Sequence, residues 1–214
     1  MNFLNYDSAF MTALRKAVDY FFLGFLWLLA VLGVVTFGAA TTAMLYTAEK
    51  SIRKDEGKVF VTFWKRFAKE FKQATLLGLI GMPIASFLAF NALLLWGVEL
   101  PALIFALVLV ASIFVLCWVS LWFGYLSYFK DPIRLVLSNT FRMVFAYLPW
   151  AALLGIFTAA ALAGLAFAFL YMPPLLLFVP GLYALTANGL CRRIFKDYLP
   201  KDLPLQEEDV QDEE

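Results

Sequence analysis

The chain has 214 residues, of which 63% are hydrophobic and 15% are charged, and its mean hydropathy is +0.81. This composition excludes a soluble globular domain and predicts an all-α membrane protein. The formal net charge of +1 hides a separation of signs, because many lysines and arginines share one loop while seven of the last 13 residues are acidic.

Membrane-spanning helices need about 20 apolar residues, and four stretches free of Asp, Glu, Lys and Arg reach that length. They are Tyr20–Ala48, Gln73–Val98, Leu100–Phe129 and Met143–Cys191. Pro173 and Pro174 divide the fourth stretch, because proline lacks the amide hydrogen that a helix interior needs. The sequence therefore predicts a polytopic bundle of about five spans, at roughly residues 20–42, 74–96, 101–127, 146–170 and 173–191. They form one membrane domain over residues 1–201, followed by an acidic, disordered cytoplasmic tail over residues 202–214.

The segment before the first span is patterned as well, with Phe10, Leu14 and Phe21 close to one helical stripe. It is interpreted either as an interfacial helix that leads into the span or as a simple extension of that span. No small-residue cleavage site follows the apolar run, so we expect the first span to be retained.

The positions of the positive charges predict the orientation. The segments after spans one, three and five hold eight, three and four lysines and arginines, whereas the opposite side holds only Arg15 and Lys16. The first and third loops and the C-terminus are therefore predicted to be cytoplasmic. In the alternative, the first apolar run breaks near residues 36–38 and turns back, which places all 17 cations inside. A single span is preferred, because the return arm from Gly38 to Ala48 covers only about 16 Å.

An aromatic and basic helix is predicted in the first cytoplasmic loop, directly after a turn at residues 55–57 in which Gly57 is free to take positive φ. Its aromatic and basic residues recur at helical spacing: Phe60, Phe63, Trp64, Lys65, Arg66, Phe67, Lys69, Phe71 and Lys72. The favoured interpretation is a helix on the lipid surface, with its cations near anionic headgroups. The alternative is a docking face for a partner protein. Nucleic acid is not expected as a partner, because no recognition module accompanies the cations.

The residue types of most catalytic sites are missing from the sequence. It contains no histidine, which removes the usual proton shuttle and imidazole metal ligand. Cys117 and Cys191 lie in or at the end of apolar runs, and we expect free thiols there. The predicted spans carry no charged residue of the kind that ion-coupled transporters use. We therefore expect no enzyme activity, catalytic residue, metal site or cofactor.

Polar residues within the predicted spans are the remaining candidates for a site. They define a candidate polar pocket or helix break at Thr36, Gly38, Thr41, Thr42, Asn91 and Asn188. Such side chains commonly bond a neighbouring helix, but they also line cavities where glycine or proline interrupts a helix. A stripe of small residues at Gly155, Ala159 and Ala163 predicts close helix packing, either within the bundle or in a homo-oligomer.

The motifs around the first loop resemble those of the YesL-like family of bacterial membrane proteins of unknown function. The resemblance rests on GVVTFGAATTAMLY at residues 33–46, GKVF at 57–60, FWKRF at 63–67 and EFKQ at 70–73. Family members often carry proline after the glycine of the first motif, where this chain has Ala39. The resemblance implies a multi-pass protein of the bacterial plasma membrane that is associated with carbohydrate-uptake transporters and sensor kinases. It implies no reaction, ligand or active-site residue.

The sequence thus leads to two functional hypotheses. The first is a non-enzymatic accessory or scaffold protein for carbohydrate uptake or sensing, with the bilayer and a transporter or sensor kinase subunit as partners. The second is a small-solute transporter or a channel subunit.

Overall fold

The computed structural model describes residues 9–96 and 102–198 of the chain. Within these residues the chain is helical and forms no strand. Seven α-helices follow one another: α1 (Ala9–Val31), α2 (Phe37–Thr47), α3 (Val59–Trp96), α4 (Ala102–Tyr128), α5 (Ile133–Ala146), α6 (Leu148–Tyr171) and α7 (Phe178–Phe195). Short 3-10 turns at Val34–Thr36 and Pro173–Leu177 precede α2 and α7, and a π-helical turn at Ala48–Arg53 prolongs α2.

Three helical segments among the described residues are long and apolar enough to cross a membrane. They are Leu103–Tyr128, Leu148–Tyr171 and Pro173–Phe195, the last of which includes the 3-10 turn before α7. Together with the all-helical fold, they support a membrane-embedded protein. The total of five spans stays a prediction, and the predicted tail over 202–214 lies outside the described residues.

The first apolar run is not one continuous helix, because α1 ends at Val31 and α2 begins at Phe37, and this differs from the single helix expected over residues 20–42. α1 and α2 form an antiparallel hairpin: the indole Nε1 of Trp27 donates a hydrogen bond to Thr41 Oγ1 at 3.2 Å. Arg15 and Asp55 form an ion pair at 2.9 Å, although 40 residues separate them. The return arm was underestimated because the helix continues through the π-helical turn as far as Arg53, a length of roughly 25 Å.

The aromatic and basic segment is not a separate loop helix. It forms the first turns of α3, a helix of 38 residues that also contains the whole predicted second span. Pro83 lies inside α3 without ending it. The turn before α3 is as predicted, since Gly57 has a φ of 77°.

The helix break predicted from Pro173 and Pro174 is confirmed. α6 ends at Tyr171, and the chain continues in a 3-10 turn that begins at Pro173. The loop between the third and fourth spans, in contrast, contains an additional helix, α5. α5 buries Val136, Thr140 and Met143 and exposes its remaining face.

One end of the bundle collects the polar contacts between helices. Arg15 reaches Asp55 there, and Arg192 Nε lies 3.9 Å from Glu49 Oε1. The guanidinium carbon of Arg193 lies 4.3 Å from the centre of the Trp150 ring, which joins the end of α7 to the start of α6. We call this the charged end, because the described lysines and arginines all belong to segments that meet there.

Glycines set the closest helix contacts away from the charged end. A Cβ atom on Gly38 would overlap the carbonyl oxygen of Ala74, so α2 and α3 touch backbone to backbone. Two further contacts are similarly close: Gly24 of α1 meets the carbonyl oxygen of Leu177 in the turn before α7, and Gly181 of α7 meets the carbonyl oxygen of Tyr20 in α1. Small residues permit such contacts, which optimise van der Waals packing in a bilayer, where water supplies no hydrophobic driving force.

Candidate functional site

Arg66 is the most heavily engaged side chain at the charged end. It is buried in the start of α3 and donates a hydrogen bond from Nη2 to the carbonyl oxygen of Leu126 at 2.7 Å. That carbonyl lies in the last turn of α4, where helix acceptors lack partners within the helix. The Arg66 guanidinium also lies 4.4 Å from the centre of the Tyr46 ring and 3.5 Å from Glu70 Oε1. One side chain thereby connects α2, α3 and α4.

This placement corrects the predicted surface role of two residues. Phe63 and Arg66 belong to the inner face of α3 and are buried, so neither is available to lipid headgroups. Gln73 holds the same helix by donating a hydrogen bond from Nε2 to the carbonyl oxygen of Asp131. The opposite side, which we call the outer face of α3, exposes Phe60, Val61, Lys65, Lys69, Phe71 and Lys72. Trp64 and Phe67 lie between the two faces and are partly buried.

Glu49 is a second buried charge that the sequence analysis did not single out. It lies in the π-helical turn after α2, is 3% exposed, and accepts hydrogen bonds from both Nε and Nη2 of Arg53. Arg192 of α7 adds a longer ionic contact to the same carboxylate. A charged residue ends a charge-free stretch, so the sequence places Glu49 in the loop after the first span. The residue lies instead in the continuation of a buried helix, where a carboxylate requires paired cations.

Beside the start of α6, the Tyr147 hydroxyl donates a hydrogen bond to the carboxylate of Asp197. This bond raises the pKa of Tyr147 to about 12, because the carboxylate stabilises the protonated hydroxyl. The contact keeps the residues after α7 at the charged end.

The described side chains of the predicted polar pocket do not share one site. Thr36 Oγ1 donates a hydrogen bond to the carbonyl oxygen of Ala30 and closes the turn of the hairpin. Gly38 provides the close contact with α3 described above. Asn188 of α7 donates from Nδ2 to the carbonyl oxygen of Leu45 at 2.8 Å, which connects α7 to α2. Thr42 is buried, and the side chain of Asn91 lies outside the described part of the structure.

Thr41 is the predicted residue that lines a cavity. This cavity has a volume of about 210 Å³ and lies in the middle of the bundle, between α1, α2, α3, α4, α6 and α7. Most of its wall is apolar, including Met44, Met82, Val119 and Phe123.

A hydrogen-bonded row of hydroxyl groups forms the polar part of the cavity wall. Ser120 Oγ and Thr158 Oγ1 lie 2.9 Å apart, and Thr158 Oγ1 lies 3.4 Å from the Tyr183 hydroxyl. Trp27 and Thr41, which share the hydrogen bond between α1 and α2, also belong to the cavity wall. The sequence analysis missed the row because single serines and threonines in apolar helices commonly bond their own backbone, as Ser120 also does with Leu116.

Two sequence comparisons identify the family of the chain. A family model described as "Protein of unknown function, DUF624" matches residues 20–92, which contain most of the α1–α2 hairpin and most of α3. A protein of Bacillus subtilis (strain 168), described as "Uncharacterized protein YesL", is 31% identical over 180 residues, which cover 82% of this chain and 84% of that protein. The chain belongs to the YesL-like family.

The family-model match reaches residues of both the charged end and the cavity. Arg66 and Glu49 at the charged end and Thr41 in the cavity wall lie within residues 20–92. No solved structure matches the chain. The family therefore places this protein among relatives of unknown function, and its function has to be argued from its own geometry.

Proposed function

We propose that this YesL-like protein is a non-enzymatic accessory subunit of a carbohydrate-uptake or sensing complex in the bacterial plasma membrane, with its charged end in the cytoplasm. The outer face of α3 is its docking surface. A helix of 38 residues is about 57 Å long, whereas a bilayer core is about 30 Å thick. A single helix of that length extends well beyond the bilayer when it crosses it.

The fixed position of α3 is the observation that carries this proposal. Arg66 and Phe63 hold the inner face against the bundle, so the first turns of α3 continue the line of the helix instead of lying flat among headgroups. The outer face then presents Lys65, Lys69 and Lys72 beside exposed aromatic rings. A preorganised basic surface with aromatic anchors suits a partner with an acidic cytoplasmic surface.

Affinity purification from native membranes tests the proposal. We expect the tagged full-length protein to recover a transporter or sensor kinase subunit in fixed proportion. The triple variant Lys65→Gln, Lys69→Gln, Lys72→Gln should lose that subunit, because it removes three exposed cations from the docking surface and leaves the buried inner face of α3 unchanged. Arg134→Gln with Arg142→Gln is the matched control, since both arginines are exposed at the same end but lie on α5. Equal recovery by the two variants, or no subunit with the unaltered protein, would overturn the proposal.

The cavity favours a second candidate function, namely transport of a small solute. Reconstitution of the protein alone in liposomes separates the two candidates. Solute uptake without any partner would support transport, whereas the accessory function predicts no uptake.

A further inference from the structure

The cavity reaches the side of the bundle. Two residues of its wall, Ser86 on α3 and Leu162 on α6, are exposed on the outer surface of the protein. Leu162 lies in a helix that is long and apolar enough to cross a membrane. Ser86 lies in the second predicted span, residues 74–96. The opening between α3 and α6 therefore faces lipid.

The wall of the cavity is electrically neutral. No lysine, arginine, aspartate or glutamate is among the described residues that line it. A charged group would lose its hydration there without finding a countercharge, which is strongly unfavourable. The cavity thus excludes ions and favours an uncharged occupant.

The size and the composition of the cavity suit an apolar occupant with one polar group. The cavity is larger than the ~150 Å³ apolar cavity that holds benzene. Its apolar surface can cover a ring or a short length of chain. The Thr158 hydroxyl donates to the carbonyl oxygen of Leu154 at 2.8 Å and so offers its lone pairs as acceptors, and the Tyr183 hydroxyl lies 3.4 Å from it. A bilayer-dissolved molecule with a hydroxyl or carbonyl group satisfies both parts.

From these observations we infer that the cavity binds a neutral amphiphile that enters from the bilayer, with its apolar part among Met44, Met82 and Val119 and its polar group against Thr158 and Tyr183. This site is separate from the outer face of α3 and does not depend on docking there. Either function proposed above accommodates it.

Photo-crosslinking tests the site in the full-length protein, reconstituted in phosphatidylcholine nanodiscs. The probe is hexadecanol that carries a diazirine, and the labelled residues are found by peptide mass spectrometry. We expect labelling of cavity residues that excess unlabelled hexadecanol removes and that hexadecyl sulfate, which stays charged at neutral pH, leaves in place. Labelling that hexadecanol does not remove would overturn the inference.

A second probe, phosphatidylcholine with a diazirine in its acyl chain, identifies the source of the occupant. The inference predicts that this probe labels the outer surface of the helices but not the cavity wall. If it labels the wall as strongly as the alcohol does, the cavity holds the tail of an ordinary bilayer lipid and the inference is wrong.

A pair of alanines on α6 provides matched variants. Ala161 lines the cavity and its neighbour Ala160 is exposed on the surface. Ala161→Phe should fill the space and reduce displaceable labelling at least tenfold, whereas Ala160→Phe should leave it unchanged. Equal labelling of both would contradict the inference.

Thr158→Val keeps the volume of the side chain and removes its hydroxyl, so it decides the question if Ala161→Phe does not fold. We expect roughly fivefold weaker competition by hexadecanol, as for one lost hydrogen bond. An unchanged competition curve would contradict the assigned polar contact.

Discussion

The charged end and the middle of the bundle are held together in opposite ways. At the charged end, directional contacts connect the helices, and Arg66 joins α3 to a carbonyl oxygen of α4 and a ring of α2. In the middle, helices approach closely because glycine has no side chain, as at Gly38 beside Ala74. The charged end can therefore be broken by removing atoms, and the middle by adding them.

The largest expected effect is the difference in cysteine labelling that shows on which side of the membrane the charged end lies. In a protein with Cys117 and Cys191 changed to alanine, single cysteines at Lys16 and Lys58 should both be shielded from an impermeant thiol reagent in intact cells. The Arg15–Asp55 pair brings their segments to the same end. Glu99 is the reference for the other side, and a cysteine there should be labelled. Labelling at Lys16 with protection at Lys58 would show that the hairpin does not form.

Removing Arg66 should cause the largest loss of stability at the charged end. Arg66→Met deletes the hydrogen bond to Leu126 and separates buried Glu70 from a cation, which should lower the free energy of unfolding by about 3–5 kcal/mol. Arg66→Lys should recover only part of this, since an ammonium group lacks the planar donors and the ring contact of a guanidinium. Thermal and denaturant unfolding in detergent measures both variants.

Lys65→Met is the control for this series, because Lys65 neighbours Arg66 but lies on the exposed outer face. It should change the unfolding free energy by no more than about 0.5 kcal/mol. A similar loss in both variants would mean that the position in the helix matters, and not the buried contacts.

Adding a single methyl group tests the middle of the bundle. Gly38→Ala should force α2 away from α3 and cost about 1–3 kcal/mol, because the new carbon meets backbone that cannot rotate away. Gly189→Ala is the matched control, since open space surrounds Gly189 within 4 Å. That change should be neutral or slightly stabilising, as alanine favours a helix. The two unfolding temperatures provide the comparison, and a tolerated Gly38→Ala would contradict backbone contact.

The smallest effect is expected for a single hydrogen bond beside the cavity. Thr41→Val removes the acceptor of the Trp27 indole and should cost about 0.6 kcal/mol, the average for such a bond in a membrane. Thr186→Val should cost less still, because Thr186 bonds the carbonyl oxygens of its own helix. A difference of several kcal/mol for Thr41 would show that polar contacts dominate the middle as well.

The backbone could be predicted from the local sequence wherever proline or glycine determines its conformation. Pro173 ends α6, and Gly57 takes the positive φ that the turn requires. Both outcomes depend on the residue itself and its near neighbours, so one sequence contains the information.

Contacts between distant segments could not be predicted in this way. Arg66 follows the same helical spacing as an exposed lysine, and its burial depends on Leu126, 60 residues later. The break between α1 and α2 contains no proline, and the charged residue Glu49 concealed the continuation of α2. α5 was overlooked because a search for charge-free stretches passes over a short amphipathic helix with Arg134 and Arg142 on its exposed face.

Biosynthesis imposes an order on the α1–α2 hairpin. α1 leaves the ribosome first and carries Arg15, but the partner Asp55 is made 40 residues later. The first apolar segment therefore enters the membrane without the ion pair that later joins its two arms. The basic start of α3 emerges only after both arms, so the lysines and arginines there, which favour the cytoplasmic side under the orientation proposed above, follow the hairpin and do not precede it.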